Sequence, residues 1–156
     1  MDQESIIYVV DDDAAARGAI AALVRSKGLV AKEFASAEEF LAQYSPTMKG
    51  CIVVDIRMEG MSGLEMLQKL QSPMGAPPVV VVTTNADIPL AVVAMREGAI
   101  TFLEKPCQDN DLWIGIEQAL EVEQSRYNQR KQLAAAQDRS ASLTYDDLEA
   151  FRRLYA

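Results

Sequence analysis

The sequence predicts a doubly wound α/β domain, a five-stranded parallel sheet covered by helices on both faces, followed by an extended C-terminal helical tail. Three observations lead there. Five short apolar runs, Ile6 to Val10, Leu29 to Phe34, Cys51 to Val54, Val79 to Val82 and Ile100 to Leu103, alternate with segments of helical period. The third and fourth runs are apolar at consecutive positions and rich in β-branched residues, as in strands buried on both sides. Regular alternation of strand and helix implies crossover connections, which parallel neighbours require.

Taken in order, the first run leads into Asp11-Asp12-Asp13, where Asp13 is placed to cap the next helix. In that helix Ile20, Leu23 and Val24 share a face, and Gly28 suits the left-handed residue that follows a helix C-terminus. Ser36-Ala37-Glu38-Glu39 is a capping box that opens a short helix through Phe40, Leu41 and Tyr44. Ser62-Gly63-Leu64-Glu65 repeats the device before Leu67 and Leu70. Asp87 can cap the segment holding Ala91, Val92 and Met95, which closes at Gly98. Asp109 can cap a helix carrying Leu112, Ile116 and Leu120. From Glu117 to Ala136 there is no Gly or Pro, so this helix is expected to continue, either as an exposed linker or as a pairing helix, its apolar positions Val122, Tyr127 and Leu133 being sparse for a coiled coil. Asp138 to Ser142 breaks the pattern, and Thr144 can cap a final helix with Leu148, Phe151 and Leu154 along one face. The expected division is a domain over 1–124 and a helical tail over 125–156.

Composition narrows the chemistry. The 156 residues include no histidine, which removes Ser-His-Asp and Cys-His nucleophiles, a histidine general base and mixed His/Cys zinc sites. Carboxylates, hydroxyls and lysine remain. A net charge of −8 argues against broad binding to nucleic acid or anionic membranes and favours a cation site. The acidic MDQES start and the lack of a long apolar run predict a cytoplasmic protein without a membrane span. Cys51 and Cys107 are far apart and outside any CxxC pair, so both are expected to be buried thiols in a reducing compartment.

Ligands of doubly wound sheets bind at the carboxyl ends of the strands. The ends here deliver Asp11 and Asp12, Asp55, Thr83 and Lys105. Three gathered carboxylates resist ionising together unless a cation sits among them, and an all-oxygen set suits Mg²⁺. Lys105 can pair with Asp55 or with an anion that Asp55 acquires, and the Thr83 hydroxyl can donate to a phosphoryl oxygen.

On these residues the chain resembles the receiver domain of two-component response regulators, over residue 5 to about 124. The segments Asp55-Ile-Arg-Met-Glu-Gly-Met-Ser-Gly63 and Thr83 through Phe102-Leu-Glu-Lys-Pro106 look most like the FixJ branch. The resemblance implies a flavodoxin-like receiver fold. It further implies that Asp55 takes a phosphoryl group from the phosphohistidine of a sensor histidine kinase, as a signalling domain rather than an enzyme. Asp11, Asp12, Asp55 and the backbone carbonyl of Arg57 would bind Mg²⁺. Lys105 and Thr83 would contact the phosphoryl oxygens, and Phe102 would be the switch aromatic. The fourth helix, around Ile88 to Gly98, the fifth strand and the fifth helix would then form the switching face and a phosphorylation-promoted homodimer surface. Some positions depart from the family pattern. Glu59 stands where proline is common, which leads one to expect a looser loop. Thr84 stands where Gly or Ala is usual, which is expected to narrow access. Arg57 and Asn85 fall at positions that tune phosphoryl lifetime.

The sign of the charge changes where the resemblance stops: 9 basic and 19 acidic residues through Gln124, then 6 basic and 4 acidic. Ser142-Leu143-Thr144 and the following residues resemble the opening of a helix-turn-helix output domain, so DNA contact and transcriptional control are expected only through an output domain absent from this chain. Two rival classes lack their diagnostic residues here. A phosphohydrolase of the haloacid dehalogenase type wants an acid two residues past its aspartate, where this chain has Arg57. A flavin carrier wants a glycine- and hydroxyl-rich phosphate loop after the first strand, where this chain has three aspartates. The remaining alternative is an interaction module of receiver fold that is never phosphorylated.

Overall fold

A computed structural model describes residues 5–46, 48–70 and 76–139. The elements are β1 (Ile6–Val10), α1 (Ala14–Ser26), β2 (Val30–Phe34), α2 (Ala37–Gln43), β3 (Gly50–Val54), α3 (Gly63–Leu70), β4 (Val79–Thr83), α4 (Ile88–Arg96), β5 (Ala99–Glu104) and α5 (Asp109–Arg139). All neighbouring strands are parallel, in the order β2-β1-β3-β4-β5. The chain leaves β1 toward β2 and resumes at β3 on the other side of β1. That reversal opens a crevice between the carboxyl ends of β1 and β3.

The consecutive apolar residues of β1, β3 and β4 are explained by two cores. Tyr8, Val10, Ile52, Val54, Val79 and Val81 point to one face of the sheet and pack with Phe40 of α2, Met66 and Leu70 of α3 and Ala94 of α4. Ile7, Val9, Cys51, Val53, Val80 and Val82 point to the other, against Ile20 and Val24 of α1 and Leu112 and Ile116 of α5. Tyr8, Phe34 and Phe40 meet ring to ring with centroids 5.2–6.4 Å apart, which fastens α2 to the first two strands.

Local signals set the helix ends. Asp13 Oδ1 accepts from the Ala15 and Ala16 amides, Ser36 Oγ from Glu39 and Asp87 Oδ1 from Leu90. The Ser62 capping box is reciprocal, its hydroxyl accepting from the Glu65 amide and the Glu65 carboxylate accepting from the Ser62 amide. Several bounds differ from expectation: β3 begins at Gly50, β4 runs to Thr83, β5 spans Ala99–Glu104, α2 ends at Gln43, and α5 continues through Asp138, where a break was expected, to Arg139. Two further differences have a clear local cause. Leu29 is not in β2, because its N–H donates to the Val24 carbonyl and that of Gly28 to Arg25. This paired C-terminal closure, with Gly28 at φ 82°, delays the strand until Val30. Asp109 is the first residue of α5 rather than its cap, so its charge acts on the helix dipole from within the first turn.

Contacts divide the chain into two compact units, Met1–Glu123 and Gln124–Ala156. The described part of the second consists of the continuation of α5 to Arg139. The expected helix from Thr144 lies outside the described residues. Among the described residues no helix is long and apolar enough to cross a membrane.

Cys51 lies fully buried in β3, and burial, with the charge of Glu123 adding to it, pushes its thiol up to about 12. Cys107 is only partly buried, which corrects the expectation for that residue, and burial again raises its thiol above the ordinary value. Because the thiolate is the reactive form, a maleimide at neutral pH should modify Cys107 slowly and Cys51 only after denaturation. Intact mass with and without denaturant reads this directly, and native labelling of both cysteines at one rate would contradict the burial of Cys51.

Candidate functional site

Hydrogen bonding carried one residue beyond β1, β3 and β5 creates the site. The Asp11 N–H donates to Phe34 O at 3.1 Å, the Asp55 N–H to Val10 O at 3.1 Å and the Lys105 N–H to Thr83 O at 2.8 Å. These residues are therefore held as firmly as the strands they follow, and their side chains converge. Lys105 Nζ donates to Asp11 Oδ2 at 2.6 Å and to Asp55 Oδ2 at 3.0 Å. The remaining carboxylate oxygens are also engaged: Asp11 Oδ1 accepts from the Asp13 amide at 2.9 Å and Asp55 Oδ1 from the Arg57 amide at 3.0 Å.

Asp11 and Asp55 are buried, with 1% and 6% of their surface exposed, so one ammonium serves two desolvated carboxylates. Burial alone would lower the affinity of Lys105 for its proton. Its hydrogen bonds to Asp11 and Asp55, reinforced by their charges, outweigh burial and raise it above its ordinary 10.5. Lys105 is therefore a cation at neutral pH. The stability it contributes is fully present below 10.5 and is lost only as pH rises through the raised value. The trio still carries one excess negative charge, which favours a further cation.

Asp12 is placed differently. It is exposed, and its Oδ2 accepts from the Glu59 N–H at 2.9 Å across the crevice. Two of the three aspartates thus share Lys105 while the third faces the β3–α3 loop. Among the described residues no group of three or more carboxylate or thiol side chains is gathered closely enough to hold a metal ion by itself. Mg²⁺ does not demand such a cage, since it commonly takes one or two carboxylates with water and phosphate oxygens. The adjacent Asp11 and Asp55, with Asp12 at the rim and the Arg57 backbone beside Asp55, fit it on donor chemistry.

Thr83 is fully buried at the end of β4, its hydroxyl 3.5 Å from the Thr84 carbonyl, a long contact that leaves the hydroxyl loosely held. Phe102, on β5, is partly buried and packs against the core on the α2–α3–α4 face. Thr84 is exposed and, with Lys105, Val82, Ile20 and Leu112, lines a largely apolar cleft of about 420 Å³ between α1 and the start of α5.

Several contributors were not legible as such in the sequence. The Arg57 guanidinium donates to the Thr84 and Asn85 carbonyls, each at 3.1 Å, tying the loop after Asp55 to the loop after Thr83. Asn85 adopts φ 51°, a left-handed geometry that asparagine tolerates. Arg17 donates to the Asp11 carbonyl at 2.8 Å and pairs with Glu33, bracing the end of β1. Gly63 lies against the backbone of Asp55, where a β-carbon would come 2.5 Å from the Asp55 carbonyl oxygen. At Glu59, where the sequence reading expects a looser loop, the amide that proline lacks is the one that donates to Asp12.

Comparison with known proteins fits this geometry. Residues 7–117 match the response regulator receiver domain family. The response regulator protein TmoT of Ectopseudomonas mendocina is 44% identical over 121 residues, covering 78% of this chain and 55% of TmoT. The transcriptional regulatory protein FixJ of Bradyrhizobium diazoefficiens is 38% identical over 153 residues, 96% of this chain and 73% of FixJ. The chain thus spans about half the length of TmoT and about three-quarters of FixJ. Among solved structures, the response regulator StyR superposes with a TM-score of 0.84 at 35% identity, covering 97% of this chain and 77% of StyR. FixJ-N does so with 0.69 at 38% identity, covering 76% and 95%. With buried Asp11 and Asp55 on a shared Lys105 at the switch point of a 2-1-3-4-5 parallel sheet, and a family match that takes in residues of all five strands, this chain belongs to the receiver domains of two-component response regulators and has FixJ-like relatives.

Proposed function

We propose that Asp55 accepts a phosphoryl group from the phosphohistidine of a sensor histidine kinase in the cytoplasm, and that the modified domain dimerises to control transcription. The observation that carries this reading is the buried Asp55 carboxylate, held between Lys105 and the Arg57 amide at the switch-point crevice. An Asp55 carboxylate oxygen donates a lone pair to phosphorus while the P–N bond to the partner's imidazole breaks and its electron pair returns to nitrogen. The absence of histidine from this chain agrees with that division of labour, the histidine being the partner's.

Asp11, Asp12, Asp55 and the Arg57 carbonyl would hold Mg²⁺, which when bound neutralises charge on the transferring group and aligns it. Lys105 needs no change of protonation to act, since it is already a cation within reach of Asp55. Phosphorylation adds about −1.5 to −2 charges, and Lys105 would turn from Asp11 toward the new oxygens. The loosely held Thr83 hydroxyl would rotate from the Thr84 carbonyl to donate to one of them. Thr83 is hydrogen-bonded to Lys105 through the backbone and pairs in register with Glu104. Its movement is thereby passed to β5, where Phe102 changes depth. Domain and kinase alone are the phosphotransfer system; contact with DNA would come through an output domain outside these residues. The alignment with FixJ, which runs past the sheet into the basic tail, supports a linker role for 125–156.

The surface that would receive the signal is apolar. Ile88, Val92, Val93 and Met95 of α4 are 80%, 42%, 40% and 47% exposed. Phosphorylation is expected to raise dimer affinity by at least about tenfold, a change of ~1.4 kcal/mol, and Ile88→Asp should abolish that gain while Asp55 is still modified. Light scattering across a concentration series checks it. Equal dimer content with and without the phosphoryl group would defeat the dimerisation step, and absence of phosphoryl uptake would defeat the function itself.

A further inference from the structure

The β3–α3 loop makes one contact that proline at position 59 would forbid. The Glu59 N–H donates to Asp12 Oδ2 at 2.9 Å. The donor is not free to follow the carboxylate. Two residues earlier, Arg57 holds the Thr84 and Asn85 carbonyls, and two residues later, the Met61 N–H is held by Glu38 Oε2 at 3.0 Å. Gly60, between them, has φ 77° and approaches Glu38 so closely that a β-carbon would lie 2.7 Å from Oε2. The Glu59 amide is thus a fixed dipole aimed at Asp12, while Asp11 and Asp55 face Lys105.

From this arrangement, and resting on the metal role proposed above for Asp12, we infer that the Glu59 amide withholds Asp12 from Mg²⁺ and so sets the Mg²⁺ concentration at which the site fills. A charge-assisted hydrogen bond has to be surrendered or shared when Asp12 turns to the cation. Glu59→Pro removes both the donor and a nearby negative charge; Glu59→Ala removes the charge and keeps the donor. Their difference contains the hydrogen bond together with the fixed φ of proline, and the part that vanishes when Asp12 is removed belongs to the hydrogen bond.

By isothermal titration with Mg²⁺, Glu59→Pro is expected to bind roughly ten- to a hundredfold more tightly than Glu59→Ala, the range given by one hydrogen bond to a charged group. The two should bind alike when Asp12 is also replaced by alanine. In the unsubstituted protein, solvent exchange of the Glu59 amide, followed by NMR, should accelerate as Mg²⁺ saturates the site and the amide loses its acceptor. That second measurement needs no variant to fold. Equal affinities of the proline and alanine variants, or amide exchange unmoved by saturating Mg²⁺, overturns the role of Glu59 and leaves the metal site standing. No Mg²⁺ binding by the unsubstituted chain overturns both.

Discussion

Asp55→Asn is expected to leave a folded domain that takes up no phosphoryl group under conditions in which the native chain gains one. The substitution preserves shape and one acceptor oxygen for the Arg57 amide, puts an –NH2 donor in place of the oxygen that accepts from Lys105, and removes the proposed anionic nucleophile. Incubation with Mg²⁺ and a small phosphodonor, followed by intact mass, separates the two chains. The loss should be complete rather than partial, because Asp11 sits beside Asp55 yet is paired to Lys105 at 2.6 Å and to the Asp13 amide at 2.9 Å. Folding is not expected to suffer. Two buried carboxylates now share one ammonium, so removing one charge leaves a balanced Lys105–Asp11 pair that offsets the hydrogen bond lost at Lys105, and the melting temperature should stay close to that of the native chain. Phosphoryl uptake by Asp55→Asn would place the acceptor elsewhere, and a strongly lowered melting temperature would contradict the charge accounting.

Gly50→Ala is expected to have the largest effect on stability of any single methyl addition. Gly50 opens β3 at φ 122°, a backbone geometry open to glycine, and stands in register opposite Ile6. A β-carbon there would overlap the Ile6 carbonyl in the β1–β3 ladder, at the centre of the sheet. The clash is with backbone, which cannot rotate away. The expected cost is about 4 kcal/mol or more, in the range reserved for strain and overpacking, corresponding to a fall in melting temperature of roughly 8–16 °C. Gly28→Ala is the control. It shares a positive φ, 82°, but a β-carbon would meet nothing within 4 Å, so only left-handed strain of about 1–2 kcal/mol applies. Thermal unfolding of both variants decides the point, and similar losses would show that backbone overlap at Gly50 relaxes.

How much was legible differed between elements for a physical reason. The apolar runs announced β1, β3 and β4 because each residue of a doubly covered strand is buried whichever way it points. Ser36, Ser62, Asp13 and Asp87 announced helix starts because a cap bonds to an amide only two or three residues away. β2 and the start of α5 were displaced by one residue, since Leu29 could join either a helix closure or a strand and Asp109 either a cap or a first turn. At the site, Asp11, Asp55, Thr83 and Lys105 were legible because each terminates a strand whose carboxyl end was predictable.

What the sequence determined alone is therefore what depends on near neighbours: element type, two-sided burial, capping, the exclusion of imidazole chemistry, and the polar residues delivered to one edge of the sheet. Tertiary structure decided which of those residues meet. It set Lys105 between Asp11 and Asp55, residues 94 and 50 positions away, turned Asp12 to the Glu59 amide, locked Arg57 onto the Thr84 and Asn85 carbonyls, and pressed Gly63 against the Asp55 backbone. These contacts depend on sheet order, strand register and the path of the loops, which arise from packing across the whole domain. Local spacing carries no record of them, and it is at that level that Glu59, an apparent loss of rigidity in the sequence, becomes a fixed donor to a candidate metal ligand.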